Sequence, residues 1–258
     1  MVDSLWEGLQ DKHVGCPMAI TAENLAEKYD ISKEDADAFA LRSQQKWAAA
    51  QEAGLFKDEI VPIKIKDRKK GEIDFEVDEH PRPQTTIESL QKLKPLFKKG
   101  GSVSAGNASG ISDGAGAVIV ASAEAVKKHN LKPMARIVSY AVAGVPPEIM
   151  GIGPVPAIQE ALRRANLSIN DMDFLEINEA FASQFLACQK DLGFDLEKEG
   201  VQSKGGAIAQ GHPTGASGSR IMGTLAYDLA RNPGKKYAIG SACIGGGQGI
   251  AIILENCA

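Results

Sequence analysis

The sequence predicts an α/β fold in which a charged, mostly helical region precedes a layered domain of mixed sheet covered by helices. The first hundred residues carry helix caps and apolar residues at helical spacing. After residue 132, apolar strand-like runs alternate with helical ones in the order strand, helix, strand, helix, helix and two strands. Such alternation is typical of layered α/β domains. We find no internal repeat.

Composition indicates an ordinary globular chain. Its 258 residues can bury a sizeable core, and 29 basic against 33 acidic side chains leave a formal charge of only −4. This balance gives no electrostatic case for binding nucleic acid or an anionic membrane. No apolar run approaches the roughly 18 to 20 residues that span a bilayer, so we expect a soluble protein. The first residues have neither a signal-peptide nor a transit-peptide pattern.

The four cysteines predict a reducing, intracellular location and no metal site. They are few and irregular for a chain of this length, which disfavours a disulfide framework. None pairs as C-x-x-C, and the four histidines lie far apart in the sequence.

Two helices are predicted early in the chain. Thr21 is a candidate cap for the helix "AENLAEKY". Ser32, with Asp35 three residues later, has the spacing of a capping box at the start of the next helix. Gly54 supplies a stop for that second helix.

Short strands and a small-residue stretch follow. The run "EIVPIKIKDRKKGEIDFEVDEHPRP" predicts two strands around a turn at Lys70 and Gly71. Glycine, alanine and serine then crowd "KKGGSVSAGNASGISDGAGAVIVAS", in which residues 117–121 are predicted to form a buried strand.

The last third alternates strands and helices. The predicted strands are "MARIVSYAVAG", "DFLEI", "KYAIGSAC" and "GIAIILE". The predicted helices are "PVPAIQEALRRANL", "NEAFASQFLACQKDLG" and "SRIMGTLAYDLA", the first of which begins with a proline, as helix starts tolerate.

Three segments place a polar residue among small ones at the end of a strand or before a helix. They are "INEAFA" with Asn178, "GHPTGASG" with His212 and "ACIGGG" with Cys243. Small residues expose backbone N–H groups, which can stabilise a developing negative charge. The positive end of a helix dipole beside His212 favours a neutral base, and a thiol between strand and turn suits acid–base work.

Each segment also has a purely structural interpretation. A histidine before a helix is often a surface group, and a cysteine in an apolar strand is usually inert. "IGGGQG" reads most simply as a hairpin turn, and Asn178 as a helix cap. Dinucleotide-binding and phosphate-loop spacings are absent from the sequence. The presence of all three segments in one domain favours a common site.

The motifs together resemble the thiolase family. "AGNASGISDGAGAV", "MGIGPVPA", "INEAFA", "GGAIAQGHPTGASGSR" and "GSACIGGGQGIA" occur in the family's order, and "CPMAITAENLA" resembles its loop domain. The resemblance implies a CoA-binding loop domain at 1–100, the last strand segment of the N-terminal half at 101–132 and a C-terminal domain at 133–258. Pro17 stands where biosynthetic members usually have histidine, which favours a mitochondrial branch and hence a mitochondrial matrix location.

The resemblance implies a reaction and a set of catalytic residues. Thiolases cleave a 3-ketoacyl-CoA with free CoA, or run the reverse Claisen condensation, through an acylated cysteine. His212 matches the histidine that activates this nucleophile, and Asn178 matches the residue that holds a water in the oxyanion hole. Cys243 matches the acid–base cysteine, and Gly245 the N–H donor of a second oxyanion hole.

The resemblance also implies CoA contacts, with coenzyme A as substrate and no separate cofactor. Ser109 matches a serine that hydrogen-bonds the pantetheine arm, and Arg82 a basic contact at the nucleotide end. Residues matching the lining of the acyl and pantetheine tunnel are Met18, Met150 and Phe181. Core packing is the alternative role for the two methionines.

The sequence departs from the family in three ways. The elbow that delivers the nucleophilic cysteine has no counterpart, since Cys16, Cys188 and Cys257 lack its small-residue context. The N-terminal half-fold is therefore expected to be largely missing, which predicts an exposed apolar face and pairing as a homo-oligomer or with a full-length thiolase chain. Lys204 and Gln210 stand where the family usually has Asn and Leu.

Three functions remain open at this point. The first is a thiolase whose catalytic set is only partly present in the chain. The second is a non-catalytic acyl-CoA-binding partner of a full-length thiolase. A condensing enzyme of the ketoacyl-synthase type is the third, and it is disfavoured because such enzymes lack the loop domain that the first hundred residues resemble.

Overall fold

The structure is a computed structural model that describes residues 3–257 of the chain. Met1, Val2 and Ala258, at the ends of the first and last predicted domains, lie outside it. No helix in this described range is long and apolar enough to cross a membrane. The helices and strands before residue 100 are α1 (Ser4–Gly8), β1 (Gln10–Asp11), β2 (Cys16–Pro17), α2 (Met18–Lys28), α3 (Lys33–Glu52), β3 (Ile63–Asp67), β4 (Gly71–Phe75) and α4 (Ile87–Gln91).

The capping signals of this region are confirmed at α3 and wrong at α2. Ser32 and Asp35 form the reciprocal capping box, and Gly54 follows α3 with a φ of 71° that suits glycine. Helix α2, however, already begins at Met18 behind Pro17. Thr21 therefore lies inside the helix, where its hydroxyl donates to the carbonyl of Met18 at 2.6 Å instead of capping a free N–H.

The predicted strand pair around Lys70 and Gly71 is confirmed as an antiparallel hairpin of β3 and β4. The buried strand predicted over 117–121 is wrong. Val118, Ile119 and Val120 are 49%, 93% and 74% exposed, and no described strand pairs with this segment. An apolar run becomes a buried strand only beside a neighbour that supplies hydrogen bonds and covers its side chains, and the described part of the chain provides none here.

The C-terminal sheet positions the site. Its strands are β5 (Ala135–Gly144), β6 (Phe174–Ile177), β7 (Tyr237–Ile244) and β8 (Gln248–Asn256), in the spatial order β5-β8-β7-β6. Only β6 and β7 run parallel in this sheet, so their carboxyl ends meet at one edge. All four strands lie where the sequence predicts them.

Helices cover this sheet, in agreement with the predicted α/β class. The helices after residue 122 are α5 (Ala123–Lys128), α6 (Pro154–Ala165), α7 (Ala182–Leu192), α8 (Ala207–Gln210) and α9 (Ser217–Arg231), with 3₁₀ turns at Pro147–Ile152 and Ile169–Asp171. The largest apolar cluster joins α6 and α7 to the sheet and to α3, and includes the stacked rings of Phe39 and Phe185. A second cluster packs α9 against β6, β7 and β8 through Leu225 and Leu229. The early helices are thereby fixed to the C-terminal domain.

Candidate active site

Asn178 directly follows β6, beside Ser241 near the carboxyl end of the parallel strand β7. Its backbone N–H donates to the carbonyl of Ser241 at 2.9 Å, which fixes it two residues from Cys243 on β7. The side chain is buried, and its oxygen is a buried acceptor without a hydrogen-bond partner among the described residues. A buried polar atom without a partner is uncommon, so this oxygen is available to a water or a ligand.

His212 meets Asn178 from the neighbouring loop. Nε2 of His212 lies 3.4 Å from the side-chain nitrogen of Asn178, and Nδ1 lies 2.6 Å from the hydroxyl of Ser217. The Ser217 hydroxyl donates to the carbonyl of Pro213 at 3.2 Å, so it accepts from the histidine. The proton of the neutral ring therefore sits on Nδ1, and the lone pair of Nε2 faces Asn178.

Burial keeps His212 uncharged. The pKa of His212 is lowered from its ordinary value chiefly by loss of solvent, and secondarily by the positive charge of Arg220. The sequence predicts a neutral histidine for another reason, the dipole of the following helix. That helix, α9, begins only at Ser217, and burial is the larger cause.

Cys243 lies near the carboxyl end of β7, before the glycine turn. Burial raises the pKa of its thiol to about 12, so the thiol is protonated at neutral pH. In this state the group can release a proton to a strong carbon base but is not itself a resting nucleophile.

The glycine turn packs closely against its neighbours. A Cβ on Gly245 would lie 3.6 Å from the sulfur of Met18, which is ordinary contact. A Cβ on Gly249, just beyond the turn, would lie 1.9 Å from the carbonyl oxygen of Gly153. The close approach requires glycine at 249, whereas Gly245 faces the Met18 side with its backbone exposed.

Ser109 lies on a segment that runs between Phe181 and His212. Its N–H donates to the carbonyl of Ala180 at 2.9 Å. One residue on, the carbonyl of Gly110 accepts from the N–H of His212 at 2.8 Å. This segment therefore joins the residues after Asn178 to residues 204–217, which carry His212 and are called the histidine loop.

The structure brings most of the predicted site residues together. Asn178, His212 and Ser109 are linked by direct or near-neighbour hydrogen bonds, and Met18 lies against Gly245. Phe181 is half-buried and bridges back to Ala108. Met150 is only 7% exposed inside its 3₁₀ turn, the position expected of a core side chain.

Arg82 and the remaining cysteines lie elsewhere. Arg82 is exposed, and its backbone N–H donates to the side chain of Gln44 at 2.8 Å. Cys16 is half-buried on β2, and Cys257 is exposed at the end of the described chain. Cys188 is buried in α7, where its thiol donates to the carbonyl of Gly151 at 3.3 Å.

Sequence reasoning missed the residues that support this site. The buried carboxylate of Glu179 accepts from Ser43 at 2.7 Å, from Gln202 at 2.8 Å and from the N–H of Ile208 at 3.2 Å. It thereby joins α3, the segment after β6 and the histidine loop. A signal exists in retrospect, because a carboxylate among apolar residues at a strand end needs buried donors. Ser217, which orients His212, carries no such signal.

Two family models match the chain: the thiolase N-terminal domain over residues 1–124 and the thiolase C-terminal domain over residues 131–256. The chain belongs to the thiolase family, as the sequence motifs predict.

Named relatives and solved structures agree with this assignment. The chain is 62% identical over 256 residues to the mitochondrial 3-ketoacyl-CoA thiolase of Mus musculus, and 53% identical over 253 residues to the acetyl-CoA acetyltransferase of Syntrophomonas wolfei. These alignments cover 99% and 98% of the chain but 64% and 63% of the relatives. The crystal structure of human mitochondrial 3-ketoacyl-CoA thiolase superposes with a TM-score of 0.95 at 61% identity, over 98% of this chain and 63% of the human one. The chain thus spans less than two thirds of the length of these relatives.

Proposed function

We propose that the chain acts in thiolase chemistry on CoA thioesters, the thiolytic cleavage of a 3-ketoacyl-CoA to acetyl-CoA and a shortened acyl-CoA, or the reverse Claisen condensation. The observation that carries the proposal is the contact between Asn178 and His212 beside the carboxyl end of the strand that carries Cys243. Asn178 directly follows β6, Cys243 is the penultimate residue of the adjacent parallel strand β7, and Nε2 of His212 faces Asn178. The mitochondrial relatives point to the mitochondrion as its location.

Each group has a role that its environment suits. The sulfur of the acyl-carrying cysteine, which lies outside these residues, first adds to C3 of the ketoacyl chain. When the C2–C3 bond then breaks, the acyl group stays on that sulfur, the electron pair moves onto the acetyl-CoA part, and the protonated thiol of Cys243 supplies the proton that quenches it. The resulting thiolate then takes a proton from the incoming CoA thiol. The N–H of Gly245 and the side-chain amide of Asn178 supply donors where negative charge develops on the thioester oxygens, and Nε2 of His212 can donate there only after it has taken up a proton. The unprotonated Nε2 of His212 also suits activation of a nucleophile.

The CoA thioester is proposed to lie along the surface between α2 and the segment 108–111. Ser109 hydrogen-bonds the pantetheine arm, Met18 and Phe181 line the acyl channel with Met150 behind them, and Arg82 contacts the nucleotide. A solved structure of human mitochondrial 3-ketoacyl-CoA thiolase in complex with CoA aligns over 99% of the chain at a TM-score of 0.94 and supports this assignment.

The acyl-carrying cysteine is proposed to lie outside these 258 residues. Burial raises the pKa of Cys188 well above its ordinary value, and its thiol is committed to Gly151. The pKa of Cys16 is also raised, by burial and by the charges of Asp11 and Glu148, the opposite of what a nucleophile needs. A homologous thiolase chain is the expected source of this cysteine, because a second copy of these 258 residues carries the same four cysteines and cannot supply it.

A non-catalytic acyl-CoA-binding subunit is the second candidate function. The unfavourable thiols and the exposed apolar segment at Val118–Val120 favour it. It differs from the first proposal in predicting binding without any need for His212 as a base.

Binding and cleavage separate these candidates. We expect purified chain to bind acetyl-CoA by calorimetry, to show no thiolysis alone, and to restore thiolysis when mixed with a thiolase chain whose own His212 counterpart has been replaced. His212→Ala should abolish that restoration. Binding without restoration would favour the non-catalytic subunit, and absence of acetyl-CoA binding by folded protein would overturn both functions.

A further inference from the structure

We propose that Lys204 is a positioning residue for His212, because its buried ammonium fixes the loop that carries the histidine to helix α9 and to Glu59. The inference concerns the structure of the ligand-free protein. It rests on the proposed function only in that this function gives His212 its role. By the resemblance of this loop to the thiolase motif, Lys204 and Gln210 stand where the family usually has Asn and Leu.

The ammonium of Lys204 lies inside an ion cluster. The side chain is 2% exposed, and Nζ lies 2.5 Å from Oε1 of Glu59 and 2.7 Å from Oδ1 of Asp228. Glu59 also accepts from Thr224 at 2.9 Å and from Arg231 at 3.0 Å. Because a buried charge is tolerated only with its partners in place, these contacts restrict where Lys204 can lie.

The same loop returns to α9 at His212. The carbonyl of Lys204 accepts from the side chain of Gln210 at 3.2 Å, which closes the loop two residues before the histidine. Nδ1 of His212 then donates to Ser217 at the first turn of α9. The segment 204–217 is therefore held on one helix at both ends, by Asp228 near one end of the helix and Ser217 at the other.

Between Lys204 and Ser217 the loop is closely packed against its neighbours. A Cβ on Gly205 would lie 2.4 Å from the carbonyl oxygen of Ser43, and one on Gly206 would lie 2.4 Å from the carboxyl carbon of Glu179. Glu179 directly follows Asn178 in the chain. A displacement of Lys204 is therefore passed to both partners of the 3.4 Å contact between Asn178 and His212.

The shorter family residue cannot make the same contacts. An asparagine at 204 carries no charge and is too short to reach both Glu59 and Asp228, and a leucine at 210 cannot donate to the carbonyl of residue 204. In this chain the two departures therefore form one unit, in which the lysine holds the loop and the glutamine closes it.

Histidine-selective ¹⁵N NMR of the ligand-free protein tests the proposal. In wild type we expect a hydrogen-bonded Nδ1–H signal from His212, identified by its loss in His212→Gln. In Lys204→Asn we expect that signal to broaden or disappear and the Nδ1 and Nε2 shifts to move towards each other as the two tautomers average. Leu229→Ala is the matched control, because it removes buried contacts of α9 without touching the loop.

Two milder variants keep the test decisive if Lys204→Asn does not fold. Asp228→Asn preserves the pairing of Lys204 with Glu59, and Gln210→Leu removes only the bond to the Lys204 carbonyl. Each variant should weaken the Nδ1–H signal of His212 more than Leu229→Ala does. The comparison is made at temperatures equally far below the melting temperature of each variant. A His212 signal unchanged in every folded variant of this set would overturn the proposal. Since no ligand is present, failure of acetyl-CoA binding would not affect this outcome.

Discussion

The side-chain nitrogen of Asn178 lies 3.4 Å from Nε2 of His212, while the side-chain oxygen of Asn178 remains without a partner in the described chain. The isosteric change Asn178→Asp places a carboxylate at that distance. We expect the pKa of His212 to rise by about one unit or more, because a nearby negative charge favours the imidazolium. NMR titration of His212 measures this, and Asn166→Asp, remote on the surface, should leave the pKa unchanged. Equal titrations of both variants would contradict the geometry.

The lowered pKa of His212 predicts a pH dependence of stability. The unfolded state binds a proton near the ordinary value of 6.5, whereas the folded state binds it only at lower pH. The free energy of unfolding should therefore be fully maintained above pH 6.5 and should fall as the pH drops from 6.5 through the lowered pKa. Urea unfolding between about pH 7.5 and pH 5 measures this slope. His212→Gln should show a shallower slope, and identical slopes would show that His212 does not contribute.

Glu179 is predicted to stabilise the site region strongly. Glu179→Ala leaves the hydroxyl of Ser43, the amide of Gln202 and the N–H of Ile208 without their acceptor, so we expect a loss of about 3 kcal/mol or more in the free energy of unfolding. Glu197→Ala removes an exposed carboxylate and should change stability by less than about 0.5 kcal/mol. Chemical denaturation compares the two, and similar losses would contradict the role of the Glu179 network.

Two glycines near the turn should respond differently to an added methyl group. Gly245→Ala places its Cβ 3.6 Å from the sulfur of Met18 and should keep the melting temperature of the wild type. Gly249→Ala would place its Cβ 1.9 Å from the carbonyl oxygen of Gly153 and should unfold or strongly destabilise the chain. We expect Gly245→Ala to weaken acetyl-CoA binding in calorimetry, because the methyl occupies space beside the proposed oxyanion donor. Unchanged affinity in this folded variant would remove Gly245 from the site.

The exposed apolar segment is predicted to mediate association. Ile119 is 93% exposed, so Ile119→Lys should leave folding intact while reducing self-association in sedimentation velocity. Val61→Lys changes a comparably exposed residue, 82%, in the segment between α3 and β3, and should have little effect. Equal effects of the two substitutions would indicate general surface hydrophobicity in place of a defined contact surface.

Local signals predicted the sheet strands and the longer helices after residue 132, but not the short elements β1, β2, α1, α4, α5 and α8. The strands and helices after residue 132 have strong apolar periodicity, and each packs against a neighbour in the same sheet or on its face. The capping box at Ser32 is a four-residue pattern and was equally predictable. At residues 117–121 the same apolar signal failed, because a strand depends on a partner that sequence periodicity does not report.

The sequence predicts the motif residues of the site but not the residues that hold them in place. Asn178, His212 and Cys243 stand out because polar groups among small residues at element ends are unusual. Ser217, which orients His212, and Lys204, which holds its loop, act through contacts that only the folded chain creates. The cause of the lowered His212 pKa escaped prediction for the same reason, since burial is a property of the tertiary structure.

The central claim is that acetyl-CoA binds where Asn178, His212 and Cys243 meet. The most direct measurement is a titration of ¹⁵N-histidine-labelled protein with acetyl-CoA, following the ring nitrogens of His212. The proposed site predicts a saturable shift of the His212 signals that is weakened in Gly245→Ala, with little change at the exposed His129. Saturable binding that leaves His212 unshifted, or no binding by folded protein, would contradict it.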